Sequence, residues 1–204
     1  YITDDGTTRL HIRIATVGRM IVPLYIGQTV ANGVSIDWGD GSAAETLSGT
    51  GNVNTSHTYA EPGDYTISLM PEDGCKLSFG ANSSSYCVMG ATGNNGRVYC
   101  NMLQEVYIGK NVTYISNYAF QYCYSLASIT IPDGVTSIGR SVFNNCYGIR
   151  YYDFSACTDI PTLSSTNAFN GIPSDCQMLI PAALYDAWKA ATNWSTYANY
   201  IVGV

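Results

Sequence analysis

Residues 103–125 read L-Q-E-V-Y-I-G-K-N-V-T-Y-I-S-N-Y-A-F-Q-Y-C-Y-S, and residues 126–148 read L-A-S-I-T-I-P-D-G-V-T-S-I-G-R-S-V-F-N-N-C-Y-G. Laid one over the other, Leu103 meets Leu126, Ile108 meets Ile131, and Ile115 meets Ile138. Phe120 meets Phe143 and Cys123 meets Cys146 in the same frame. Self-similarity at a fixed period of this size marks a repeat array, in which one unit cannot bury its apolar face without its neighbours. A looser third copy spans 149–175, with Ile149 at its opening and Phe169 near the aromatic position. Residues 176–204 then read as a C-terminal cap. It opens on a strand at 177–180, and Pro181 begins a helix that carries Leu184, Ala187, Trp188 and Ala191 on one face.

The opening L-x-x-φ-x-φ of each unit resembles the strand of a leucine-rich repeat. The I-P-D-G-V-T-S-I-G run and the A-F-x-x-C run narrow that to a resemblance to BspA-like leucine-rich repeats. That resemblance implies a solenoid over 73–204, on a bacterial surface or secreted protein. Upstream, Leu77-Ser78-Phe79-Gly80 is expected as the strand of an N-terminal cap.

Residues 1–72 follow another rule. Leu10, Ile12 and Ile14 alternate with polar residues, as do Val34, Ile36 and Trp38, and Tyr65, Ile67 and Leu69. That is the period of half-buried strands. Met20–Ile26 is a further strand, with Pro23 pointing to an edge. Turn signals at Asn32-Gly33, Gly39-Asp40-Gly41 and Pro62-Gly63-Asp64 punctuate these runs, which predicts a β-sandwich. S-I-D-W-G-D-G-S at 35–42 followed by H-T-Y-A-E-P-G-D-Y-T-I at 57–67 resembles a PKD domain. The expected fold is therefore mainly β: an immunoglobulin-like sandwich, then a short leucine-rich-repeat solenoid with a capping helix. The resemblance implies that the first unit is a spacer or interaction module.

Composition limits function. Lys plus Arg total 9 and Asp plus Glu 15 in 204 residues, a net charge of −6, which leaves no basic footprint for nucleic acid. No apolar run approaches the roughly 18 residues of a membrane span. There is no H-E-x-x-H, G-x-S-x-G or P-loop pattern, and Gly93-Asn94-Asn95-Gly96 reads as a plain loop. Asp37 and Asp40 read as turn residues that bond local amides, Tyr59 as a packed tyrosine and His57 as an edge residue. All seven cysteines lie beyond residue 74, without a C-x-x-C pair. They read as buried small hydrophobes, with one or two disulfides as the alternative in an exported protein, and with no metal site and no cofactor expected.

The expected function is therefore non-catalytic. Across the solenoid strands the alignment places Ser78, Tyr107, Thr130, Asp153 and Leu179 in one column and Glu105, Ser128 and Tyr151 in the next. Glu105, Tyr107, Ser128, Thr130, Tyr151 and Asp153 are the candidate binding residues. Tyrosine, small hydroxyls and carboxylates suit an extracellular protein or glycan as partner. The alternatives are a structural tail or fibre module and a carbohydrate-targeting accessory module.

Overall fold

The computed structural model describes residues 5–80, 84–91 and 97–204, and the chain is mainly β. The loop expected at 93–96 lies outside the described residues. The first seven strands are β1 (Thr8–Ile14), β2 (Ile21–Gln28), β3 (Val34–Asp37), β4 (Glu45–Thr46), β5 (Gly51–Thr58), β6 (Gly63–Pro71) and β7 (Leu77–Phe79). They form two antiparallel groups, β1-β6-β3-β4 and β5-β2-β7. The alternating residues do what their period requires: Leu10, Ile12, Val34, Ile36, Ile67 and Leu69 of the first group are fully buried, as are Val22 and Leu24 of the second. Burial of each such side chain contributes about 1.5–3 kcal/mol. Trp38 is 1% exposed, and its indole N–H donates to Glu45 at 3.2 Å. The Tyr59 hydroxyl donates to the Trp38 carbonyl at 2.8 Å.

Two details differ from the sequence reading. Strand β2 is central rather than an edge. Pro23 is accommodated because β7 pairs only with Ile26–Gln28 and leaves the proline's flank without a ladder partner. Leu77–Phe79 pairs antiparallel with β2 and does not open the repeat array, so Ser78 faces Gly27 and stands outside the predicted column.

Beyond Phe79 come a two-strand hairpin of β8 (Tyr86–Cys87) and β9 (Gly90–Ala91), and a single helical turn, α1 (Arg97–Cys100). The repeats then contribute β10 (Leu103–Tyr107), β11 (Tyr114–Ile115), β12 (Ser128–Thr130), β13 (Ser137–Ile138), β14 (Tyr151–Asp153), β15 (Thr162–Leu163) and β16 (Gln177–Ile180). Strands β10, β12, β14 and β16 are parallel, and β11, β13 and β15 form a second, narrower parallel sheet. Between them, Phe120, Phe143 and Phe169 stack with ring centroids 5.6 and 5.3 Å apart. Phe79 adds a tilted ring to that column, 5.5 Å from Phe120.

The array is closed at its far end by α2 (Tyr185–Ala190) and a 3-10 turn at Trp194–Tyr200. The helix is shorter than expected, because Ala191 already takes an extended conformation (φ −66°, ψ 149°). Trp188 and Trp194 pack on Phe154 at 5.3 and 5.4 Å. The last residues then add β17 (Ile201–Gly203), parallel to β16, a strand of the cap that the sequence does not signal.

At the near end, β1 pairs antiparallel with β10, which joins the β1-β6-β3-β4 group and the repeat strands into one nine-stranded sheet, β17-β16-β14-β12-β10-β1-β6-β3-β4. The fit is close. A Cβ on Gly109 would lie 2.3 Å from the Gly6 carbonyl oxygen, and the Gly109 amide donates to the buried Thr8 hydroxyl at 3.0 Å.

Candidate functional site

Cross-strand register decides which side chains share a face. Tyr107, Thr130, Asp153 and Leu179 are in register, as are Glu105, Ser128, Tyr151 and Gln177. The six residues singled out from the sequence are thus brought together as two neighbouring rows on β10, β12 and β14. The rows do not start at Ser78. They continue instead through β1 and β6: Tyr107 faces Arg9, which faces Ser68, and Glu105 faces His11, which faces Thr66. Ser68 in turn faces Asp37 on β3. All of these side chains are partly or fully exposed, whereas the alternate residues Ile67, Leu10, Val106, Ile129 and Tyr152 are buried. Pleating of the sheet accounts for this division.

Where β1 meets β10, Arg9, His11, Thr66, Glu105 and Tyr107 line a depression of about 200 Å³. The Arg9 guanidinium lies 5.9 Å from the Tyr107 ring centroid and pairs with Asp5 at 2.6 Å. That hydrogen bond, followed by one from the Thr7 amide, holds the Asp5 carboxyl down at about 2. Asp64 bonds Arg13 at 2.7 Å and lies 4.0 Å from His11, and its carboxyl is lowered chiefly by the arginine. Asp153 accepts the Ser155 amide at 2.9 Å, which closes the turn after β14. Tyr151 is 48% exposed. The face therefore offers donors, acceptors and exposed rings of mixed charge. Sequence reasoning missed Arg9, His11 and Thr66, because the β1–β10 pairing joins residues about a hundred positions apart.

A second, larger depression of about 560 Å³ lies on the outer face of β2 and β5, lined by Ile21, Pro23, Tyr25, Asn54, Thr55, Ser56 and Tyr99. The Tyr25 ring stacks on Tyr86 with centroids 5.0 Å apart.

The carboxylates at 37 and 40 act as the turn reading expects. Asp37 accepts the Gly39 amide at 2.8 Å, and Asp40 accepts the Ser42 amide at 3.0 Å. Asp40 also bonds His57 at 2.7 Å, and the His57 ring stacks on Trp38 at 5.0 Å. Bonds from Ser42 first, then His57, hold the Asp40 carboxyl at about 2. The carboxylate sits between serine and histidine here. In a Ser-His-carboxylate triad the histidine sits in the middle, an order that this group does not have.

All seven cysteines are buried free thiols. Cys75, Cys146, Cys157 and Cys176 each donate to a backbone carbonyl, with Cys146 nearest at 3.1 Å from the Phe120 oxygen. Burial pushes the Cys157 and Cys176 thiols up to about 12, so neither is a ready nucleophile. Cys87, Cys100 and Cys123 differ: their sulfurs lie within 4.8 Å of one another, and they are the residues that could hold a metal among those described. The sequence held a signal for part of this trio, since Cys100 precedes Cys123 by the same 23 residues (123 − 100) that separate Cys123 from Cys146 (146 − 123).

No curated protein matches the chain. Residues 93–184 match, in six copies, the family model described as BspA type Leucine rich repeat region, and this stretch is similar to repeats of that type.

Proposed function

We propose that this chain is a non-catalytic binding module of a bacterial surface or secreted protein, adhesin-like in role. It engages an extracellular protein or glycan through the polar face of the nine-stranded sheet. The observation that carries this reading is the continuity of the two rows, from Thr66 and His11 through Glu105, Ser128 and Tyr151 to Gln177. Such a face presents a long, mixed surface that no single repeat could supply. The match to BspA type repeats supports the surface placement. In the same reading, residues 1–72 form a PKD-like, immunoglobulin-like sandwich and 73–204 a solenoid, supported by the two antiparallel groups and the parallel strands that follow. The Ser42–Asp40–His57 order and the raised thiols support a role without catalysis.

The test is a binding screen of the intact chain against extracellular matrix proteins, mucins and immobilised glycans. Saturable binding that weakens at least tenfold in Tyr107→Ala/Tyr151→Ala supports the reading. Unchanged binding by that variant places the partner elsewhere.

A second reading is favoured by the Tyr25 depression. Half-buried rings beside Asn54 and Ser56, with no charged residue among the described residues of the lining, suit a neutral sugar. Polysaccharide binding lost in Tyr25→Ala but kept in Tyr107→Ala/Tyr151→Ala would make the chain a carbohydrate-targeting module.

A further inference from the structure

The cysteine column of the repeats is explained by packing. Cys123 and Cys146 follow Phe120 and Phe143 by three residues, and in the third repeat the same place after Phe169 is taken by Ile172. The amides of Cys123, Cys146 and Ile172 each bond back to the phenylalanine three residues earlier. A hydrocarbon side chain therefore serves in that column as well as a thiol does. Repeat packing does not account for Cys87. It comes from the β8–β9 hairpin, outside the 93–184 match, and directs a third sulfur at Cys100 and Cys123.

We propose that Cys87, Cys100 and Cys123 form a three-sulfur site for one soft, thiophilic ion, of the class that Cu(I) and As(III) represent. Three separate segments bring the sulfurs within 4.8 Å of one another, and all three residues are 0% exposed. A metal–sulfur bond of about 2.3 Å in a trigonal site sets the sulfurs about 4.0 Å apart, so ligation needs a contraction of under about 1 Å. The donor set is sulfur alone, which selects soft ions. Zinc closes four positions, and the described residues offer this group neither a fourth cysteine nor a histidine or carboxylate.

Charge points the same way, since a dry interior penalises net charge. Arsenite reacts as As(OH)₃ + 3 RSH → As(SR)₃ + 3 H₂O: three S–H and three As–O bonds break, three As–S and three O–H bonds form, and no charge is left behind. Cu(I) reaches neutrality as Cu⁺ + RSH → RSCu + H⁺. Each further sulfur that joins the ion gives up its proton as well, because the thiolate is the ligand, so the neutral As(SR)₃ is the species a dry interior favours.

The experiment uses the intact, reduced chain without oxygen. It is offered Cu(I) as a soluble complex in one arm and inorganic arsenite in the other, both folded and during refolding, and read by native mass spectrometry. One ion per chain is expected in at least one arm, absent from Cys87→Ala, Cys100→Ala and Cys123→Ala and retained by Cys146→Ala. X-ray absorption on the wild-type chain keeps the test decisive where a variant fails to fold: three sulfur neighbours are expected. No uptake by either route, uptake that survives in folded Cys87→Ala, tighter uptake of Zn(II), or a disulfide within the trio in exported protein would each overturn the proposal.

Discussion

Arg9 and Tyr107 face each other across the antiparallel β1–β10 pair, with the guanidinium 5.9 Å from the ring centroid. This contact lies at the one point where the repeat strands meet the strands of the first 72 residues in a single sheet. Both residues line the smaller depression, so the contact shapes the proposed binding face as well as the join. A double-mutant cycle with Arg9→Ala and Tyr107→Ala, read by urea unfolding, should give a coupling of about 0.5–1 kcal/mol. A coupling indistinguishable from zero would mean that Arg9 is held by Asp5 alone.

The join should also be sensitive to a single methyl group. Gly109→Ala would press a Cβ against the Gly6 carbonyl at 2.3 Å, where backbone meets backbone and no side chain can yield. The expected cost is about 1–3 kcal/mol, typical of overpacking. Gly18→Ala, where a Cβ meets nothing within 4 Å, is the control and should leave the denaturation midpoint within error.

Phe143 is the middle ring of the repeat core, stacked on Phe120 and Phe169 and met edge-on by Tyr152 at 4.9 Å. Phe143→Ala should cost about 3–5 kcal/mol in urea unfolding. Neighbouring repeats depend on one another for burial, so the variant should lose protection from amide exchange in β12 and β14 together.

The Asp40 carboxyl gives the chain an acid sensitivity of known sign. Its folded value of about 2 lies below the ordinary 3.8, through bonds from Ser42 and then His57. The carboxylate therefore contributes stability that is fully present above about pH 4 and is lost as pH falls toward 2. Asp40→Asn should be less stable than wild type at neutral pH, and the gap should close across that window in thermal melts. A constant gap would show that the carboxylate's charge is not what matters.

How much of this could be read from the sequence depends on the range of the interaction. The register of Glu105 with Ser128 and Tyr151 follows from a period of 23 residues, and alignment alone delivers it. The strand at 51–58 was not anticipated, because G-N-V-N-T-S-H-T carries only Val53 as an aliphatic anchor. Its pairing with β2 and the contacts of Thr55 and His57 with Glu45 and Asp40 supply what hydrophobic alternation does not. Phe79-Gly80 mimics Ile108-Gly109 locally and points Ser78 to the repeat sheet, and only the tertiary pairing of Ser78 with Gly27 distinguishes the two. Arg9 and His11 could not be placed on the candidate face until β1 was seen beside β10. Cys87 has no repeat partner, so no spacing rule leads to it.

The closed ends of the repeat array carry a consequence for how such a chain can lengthen. Strand β10 is covered by β1, and β16 is covered by β17 and the tryptophan cap. Neither flank accepts another unit without losing its seal. Internal duplication of a whole unit keeps both covers, adding one strand and moving the two seals about 4.8 Å further apart. Extra residues are absorbed in the return between strands: Phe143 and Phe169 are 26 apart (169 − 143), against 23 for Phe120 and Phe143 (143 − 120), and their rings still stack at 5.3 Å. The array thus admits only stepwise changes in reach, with both termini of the sheet left as they are.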